Sequence, residues 1–201
     1  MSTETFTAKA AVQSYLSELK SQLQSEADLF IPIITANRGR GGAAFCSLLF
    51  AAIDVLAILV HGVGKDPLLK DQPDRLRRLF NDKRFTPHHF AGKSEIMTHV
   101  FSGAVIHAFM PASGPVVRMP GEQLAAASTF MIRGQAVINP AKFLDDVLGM
   151  IAKVAAYVET APESEVSLIH GRMSFKEGKD RDQLIKLVTG VAFEEMPTMG
   201  G

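Results

Sequence analysis

The sequence has very little cysteine and no excess of charge of either sign. Cys46 is the single cysteine among 201 residues, so no intrachain disulfide can form, which suits a reducing compartment. Lys plus Arg and Asp plus Glu number 21 each, for a formal net charge of zero. That balance argues against a strongly electrostatic nucleic-acid binder, whose affinity comes from neutralising phosphates, while leaving room for a local basic patch. It also removes self-repulsion, which favours association into an oligomer. The N-terminal MSTETFTAKAAV has neither the basic n-region nor the apolar h-region of a secretory signal, and no lipidation motif occurs. A cytoplasmic location is the expectation.

Catalytic and cofactor motifs are missing as well. ANRGRGG (36–42) presents glycines ahead of a helix but lacks the Lys-Ser/Thr ending of a nucleotide P-loop. There is no GxGxxG. Ser47 and Ser102 stand outside any G-x-S-x-G elbow. Without HExxH or a Cys/His cluster, neither a metal nor a cofactor is expected.

What is present is helical periodicity. Apolar residues make up 47% of the chain, enough for one sizeable core. Val12, Tyr15, Leu16, Leu19, Leu23, Ala27 and Phe30 recur at steps of three and four, predicting an amphipathic helix from Ala8 to about Phe30, ended or kinked by Pro32. AAFCSLLFAAIDVLAILV (43–60) is apolar all round and long enough to span a bilayer. Asp54 in its middle would cost about 2.5–3.5 kcal/mol on insertion. The expectation is a central helix surrounded by others, with no membrane. Leu76, Leu79 and Phe80 form a short apolar face opposite a basic one of Arg75, Arg77, Arg78, Lys83 and Arg84. That cluster is either a polyanion patch or a solvated face balanced by Asp71, Asp74 and Asp82.

Thr86 and Pro87 look like the N-cap and first position of a long helix reaching Met110 and stopped by Pro111. TFMI and AVIN, joined at RGQ, predict a small β-hairpin. Asn139 and Pro140 open another helix, with Phe143, Val147, Ile151, Val154 and Val158 on one face. With no repeat, heptad seam or low-complexity linker, residues 1–201 are expected to form one domain. It is a mainly α, up-and-down helical bundle over about 8–160, with the hairpin inserted in the C-terminal half and a C-terminal extension over 161–201.

Two polar groups stand alone on apolar helices, Asp54 and His107. A buried carboxylate and a buried imidazole both need partners. The economical expectation is that they face one another, either for structure or for acid–base work. His99 lies eight residues before His107, on the same side of a helix but about 12 Å away along its axis, too far to share a metal. Arg38 and Arg40, in the Gly-rich break, are either an anion site or solvated linker residues.

LLFAAIDVLAIL (48–59) together with SGAVIHAFMP (102–111) resembles the HEPN superfamily of helical domains and related uncharacterised bacterial helical proteins. The resemblance covers roughly residues 8–157. It implies an up-and-down bundle that dimerises. Active members are metal-independent ribonucleases of toxin–antitoxin or phage-defence systems, and degraded members bind nucleotides or partners. His107 matches the motif histidine and Asp54 the assisting acid of the neighbouring helix. The motif arginine, four to six residues earlier, does not carry over, because Ser102, Phe101 and Val100 occupy those positions. Arg38 or Arg40 would have to supply the guanidinium that clamps phosphate. The expected function is therefore a non-catalytic binding or regulatory module, a homodimer with RNA or a nucleotide as partner. The alternatives are a ribonuclease using His107 and Asp54, or a bundle whose apolar helix pair holds a small molecule. Candidate ligand contacts are Arg38, Arg40, His99 and Ser102.

Overall fold

Thr7 opens the first helix: its hydroxyl accepts from the Ala10 amide at 3.2 Å, satisfying a donor that the first turn leaves free. The computed structural model describes residues 7–37, 41–62, 72–90, 94–99, 116–117, 129–132 and 135–173. The first helix, α1 (Ala8–Ala36), does not stop at Phe30 but continues through Pro32. Proline removes one intrahelical hydrogen bond. Here it sits on an exposed side of the helix, as does Asp28, whose carbonyl it frees, so that solvent can take the place of the lost bond. The helix ends instead at Asn37, which donates to the Ile33 carbonyl from its amide nitrogen (3.0 Å) and its side chain (2.8 Å).

The central helix α2 (Gly42–His61) starts from Gly41, whose φ of 84° lies in the left-handed region that favours glycine. The helix is enclosed only in part, because Ala43, Ala44, Leu48 and Ala51 stay exposed. It packs against α1, α3 (Gln72–Asn81), α5 (Pro140–Thr160) and α6 (Glu163–Met173). Phe45, Leu49, Ile53 and Leu56 are completely buried in that enclosure, each stabilising the fold by about 1.5–3 kcal/mol. Among the described residues it is the one helix long and apolar enough to cross a membrane.

Leu76, Leu79 and Phe80 form the buried face of α3, as their spacing predicts. The chain beyond it departs from expectation. Residues His88–Phe90 form a 3₁₀ turn and α4 covers Ser94–His99, in place of a helix rising directly from Pro87. Thr86 does not cap a helix, because its hydroxyl donates back to the Leu79 carbonyl at 2.6 Å and is buried.

Of the predicted hairpin the strand pair is described, β2 (Thr129–Ile132) antiparallel to β3 (Gln135–Ile138), pairing Phe130 with Val137 and Met131 with Ala136, while its turn at 133–134 lies outside the described residues. A two-residue strand, β1 (Val116–Val117), lies parallel on the other side of β3. Asn139 then caps α5, its side chain accepting from the Lys142 amide at 3.4 Å, with Pro140 in the first turn. Phe143, Val147, Ile151, Val154 and Val158 are the buried face of α5, and Val166 and Ile169 of α6 join the same core. The bundle therefore takes in α6, which lies on α1 and α2. The architecture is a mainly α-helical bundle.

Candidate functional site

Asp54 sits midway along α2 on the side facing α3. Its Oδ2 accepts from the Gln72 side chain at 3.0 Å, and its Oδ1 lies 3.5 Å from the Arg75 guanidinium. Arg75 was expected on the basic outer face of α3, but its side chain is only 3% exposed. The reason is geometric. Arg75 falls one residue before Leu76 and four before Leu79, on the flank of the buried face, and its aliphatic stem buries with them. A carboxylate in an apolar helix and a guanidinium on the neighbouring helix meet each other's need for a counter-charge.

Of the other expected site residues, Arg38, Arg40, Ser102 and His107 lie outside the described residues. His99 closes α4. The described partners of Asp54 are therefore Gln72 and Arg75, both delivered by α3.

The rest of the basic cluster does reach the surface, and it gathers around a residue the sequence did not mark. His61 is the last residue of α2 and Asn81 the last of α3, and the two helix ends open side by side into a shallow basin of about 700 Å³. Arg77, Arg78, Asp82, Lys83 and Arg84 complete its lining. Both helices end with negative dipole poles, which favour cations nearby.

Asp82 organises the basin. Its Oδ1 accepts from the Arg84 backbone amide at 3.0 Å, a local turn that Asp favours. Its carboxylate then grips the same residue's guanidinium, with Nε 3.0 Å from Oδ1 and a terminal nitrogen 2.7 Å from Oδ2. Arg84 is also stacked over Phe85 and Tyr157, at 4.9 and 5.2 Å from their ring centroids. Burial pushes the Asp82 carboxyl up, but the hydrogen bonds and charge of Arg84, helped by His61, outweigh it and hold the group below its ordinary value.

His61 Nε2 stands 3.2 Å from Asp82 Oδ2, without hydrogen-bond alignment. The two influences on its charge conflict. Burial lowers its pKa, Asp82 raises it, and Arg84 and Arg78 lower it again; the net direction is down from 6.5. At neutral pH the imidazole is therefore neutral, adding no charge until an anion arrives or the pH falls. Arg77 is held on the outer wall by Asp74 and Glu95, both at 2.6 Å. Among the described residues, Arg78 and Lys83 make no ion pair.

A second concavity, about 480 Å³, lies between α1 and α2. Leu19, Leu23, Leu48, Ala51 and Val55 give it an apolar wall, and Ser21, Gln22, Ser25 and Glu26 a polar edge. Among the described residues no group of three or more His, Cys, Asp or Glu side chains is placed to hold a metal. Comparison of the chain with protein-family models, with curated proteins and with solved structures finds no match.

Proposed function

We propose that this chain is a HEPN-like bundle serving as a non-catalytic binding or regulatory module, a cytoplasmic bacterial homodimer that takes RNA or a nucleotide as ligand. The observation that carries the non-catalytic part is the engagement of Asp54 by Gln72 and Arg75. Among the described residues, the acid that a nuclease of this type would turn toward its histidine meets a glutamine and an arginine that brace α2 against α3. The missing arginine ahead of His107 points the same way, because in the resembled motif it is the guanidinium that would stabilise charge developing on the phosphate. The test is incubation of structured and single-stranded RNA with wild-type protein and with His107→Ala, without divalent metal. Intact RNA in both supports a binding module. Cleavage by the wild type that His107→Ala abolishes makes the chain a ribonuclease instead. Light scattering checks the dimer: a monomer mass at micromolar concentration removes that part of the proposal.

A second reading, a small-molecule-binding bundle, is favoured by the groove between α1 and α2. Its size falls within the range of ligand pockets, about 300–1,000 Å³, and its apolar wall with few polar groups has the usual make-up. Ala51 lines it and is exposed, so Ala51→Trp fills it from the surface. If an apolar fluorescent dye binds the wild type and Ala51→Trp excludes it, the groove is a ligand site.

A further inference from the structure

We infer that the basin at the joined ends of α2 and α3 is a binding site for phosphate groups, held by Arg78, Lys83 and Arg84 with His61 beside them. This deepens the binding-module reading, and rests on it, by naming the site and the ligand chemistry.

The charge count carries the inference. Four permanent cations line the basin, Arg77, Arg78, Lys83 and Arg84, against the single carboxylate of Asp82. Asp74 and Glu95 neutralise Arg77 from outside, and Asp82 balances Arg84. Arg78 and Lys83 remain, both exposed and, among the described residues, without an ion-pair partner. Helix-dipole compensation is the competing explanation for cations at these helix ends. Each C-terminus carries about half a negative charge, so two ends account for about one cation. Arg172 already serves one of them, donating to the Leu59 carbonyl of α2 at 2.7 Å. Glu165 sets a further carboxylate near Arg84, so what is left is local: two exposed cations, Arg78 and Lys83, without an ion-pair partner among the described residues, side by side on a concave surface.

The geometry suits a phosphate rather than a diffuse anion. Arg84 is fixed before any ligand arrives, gripped by Asp82 and stacked on two rings, so it loses little side-chain freedom on binding. Lys83 and Arg78 reach in from separate elements on long, adaptable stems. A neutral His61 can donate its N–H to a phosphate oxygen and becomes a further cation when the ligand's charge draws a proton to it. The phosphate can belong to a free nucleotide or to a nucleic-acid strand, and the two are separable by experiment.

The probes are adenosine 5′-monophosphate, followed by titration calorimetry, and a fluorescent 20-nucleotide oligouridylate, followed by anisotropy at low salt. The test variant is Arg78→Glu/Lys83→Glu, both on exposed positions and checked for folding by circular dichroism. The control, Lys20→Glu/Lys142→Glu, makes the same charge change elsewhere, with Lys142 about 22 Å from Tyr157 along α5. The basin variant is expected to weaken binding by about tenfold or more and to reduce the salt slope for the oligonucleotide by about 1.4, two single-strand phosphate contacts. The control is expected to change little. Loss with both probes identifies a site that accepts a phosphomonoester. Loss with the oligonucleotide, when the mononucleotide does not bind, identifies a strand's phosphates as the source. No binding of either probe by the wild type, no loss in the basin variant, or equal loss in the control overturns the inference. A gel of the same oligonucleotide samples separates the two claims. Cleavage defeats the non-catalytic reading and leaves the site standing, whereas an intact oligonucleotide bound equally by the wild type and the basin variant defeats the site alone.

Discussion

Asp54 and Arg75 meet across the seam between α2 and α3, carboxylate oxygen 3.5 Å from guanidinium, with the arginine almost wholly buried. Removing one partner of a buried pair is costly, because the other charge stays desolvated. Asp54→Ala is expected to destabilise the fold by about 2–4 kcal/mol, below the top of the usual range because the Asp54 side chain keeps 21% exposure. Asp54→Leu combined with Arg75→Met replaces the pair by apolar groups and is expected to restore most of that loss. Urea unfolding of the two variants checks this. A double variant as unstable as Asp54→Ala would show that the pair is not the source of the cost.

His61 makes stability depend on pH. Its folded pKa lies below 6.5, chiefly through burial and against the pull of Asp82. The unfolded chain therefore binds a proton that the folded one resists. The sign follows: the contribution of His61 is fully present above 6.5 and is lost as pH falls from there through its folded value. Asp82 acts further down. Its carboxyl is held below 3.8 by Arg84 despite burial, so its contribution is present above 3.8 and disappears as pH falls through its folded value. Unfolding free energies measured at about pH 7.5 and about pH 5.5 should differ more in the wild type than in His61→Gln. Equal differences would remove His61 as the cause.

Gly62 sits where the α2 terminus meets α6. A Cβ there would stand 2.4 Å from the Ile58 carbonyl oxygen and 3.1 Å from Arg172 Cδ. The first neighbour is backbone and cannot yield cheaply, so Gly62→Ala is expected to cost about 1–3 kcal/mol. It should also disturb the Arg172 contact with the Leu59 carbonyl. Thermal unfolding provides the measurement, and an unchanged midpoint would mean the helix end relaxes freely.

Cys46 is fully buried, and burial pushes its thiol up to about 12. Thiolate is the reactive form, so the folded protein is expected to resist a thiol reagent at neutral pH. Modification should track global unfolding as urea is raised. Rapid labelling without denaturant would show that α2 opens locally.

The candidate site was only partly legible. The basic run Arg75 to Arg84 announced a charged surface, but the spacing sets Arg75 only at the flank of the buried face and does not decide that it turns inward while Arg77, Arg78, Lys83 and Arg84 face out. That division depends on Asp54, a residue 21 positions earlier. His61 carries no local signal beyond standing between an apolar run and Gly62. Nothing local ties it to Asp82, because the two are brought together by α2 and α3 ending at the same place. Pro32 misled for the opposite reason. A local rule predicted a stop or a kink; the stop does not occur, because continued packing of α1 through Ile34, which is fully buried, outweighed the lost hydrogen bond.

The sequence by itself determined the helical class. Apolar residues at steps of three and four commit α1, α3 and α5 to one buried face each, and an all-apolar α2 demands to be enclosed. Capping chemistry is equally local, and Asn139 with Pro140 opens α5 where it was expected. Only the tertiary structure decided what each polar group meets. Asp54 finds Arg75, and His61 finds Asp82 and the surplus cations. The physical reason is that a helix pattern specifies which face is buried, whereas the partner of a buried charge depends on how helices far apart in sequence pack and where they end.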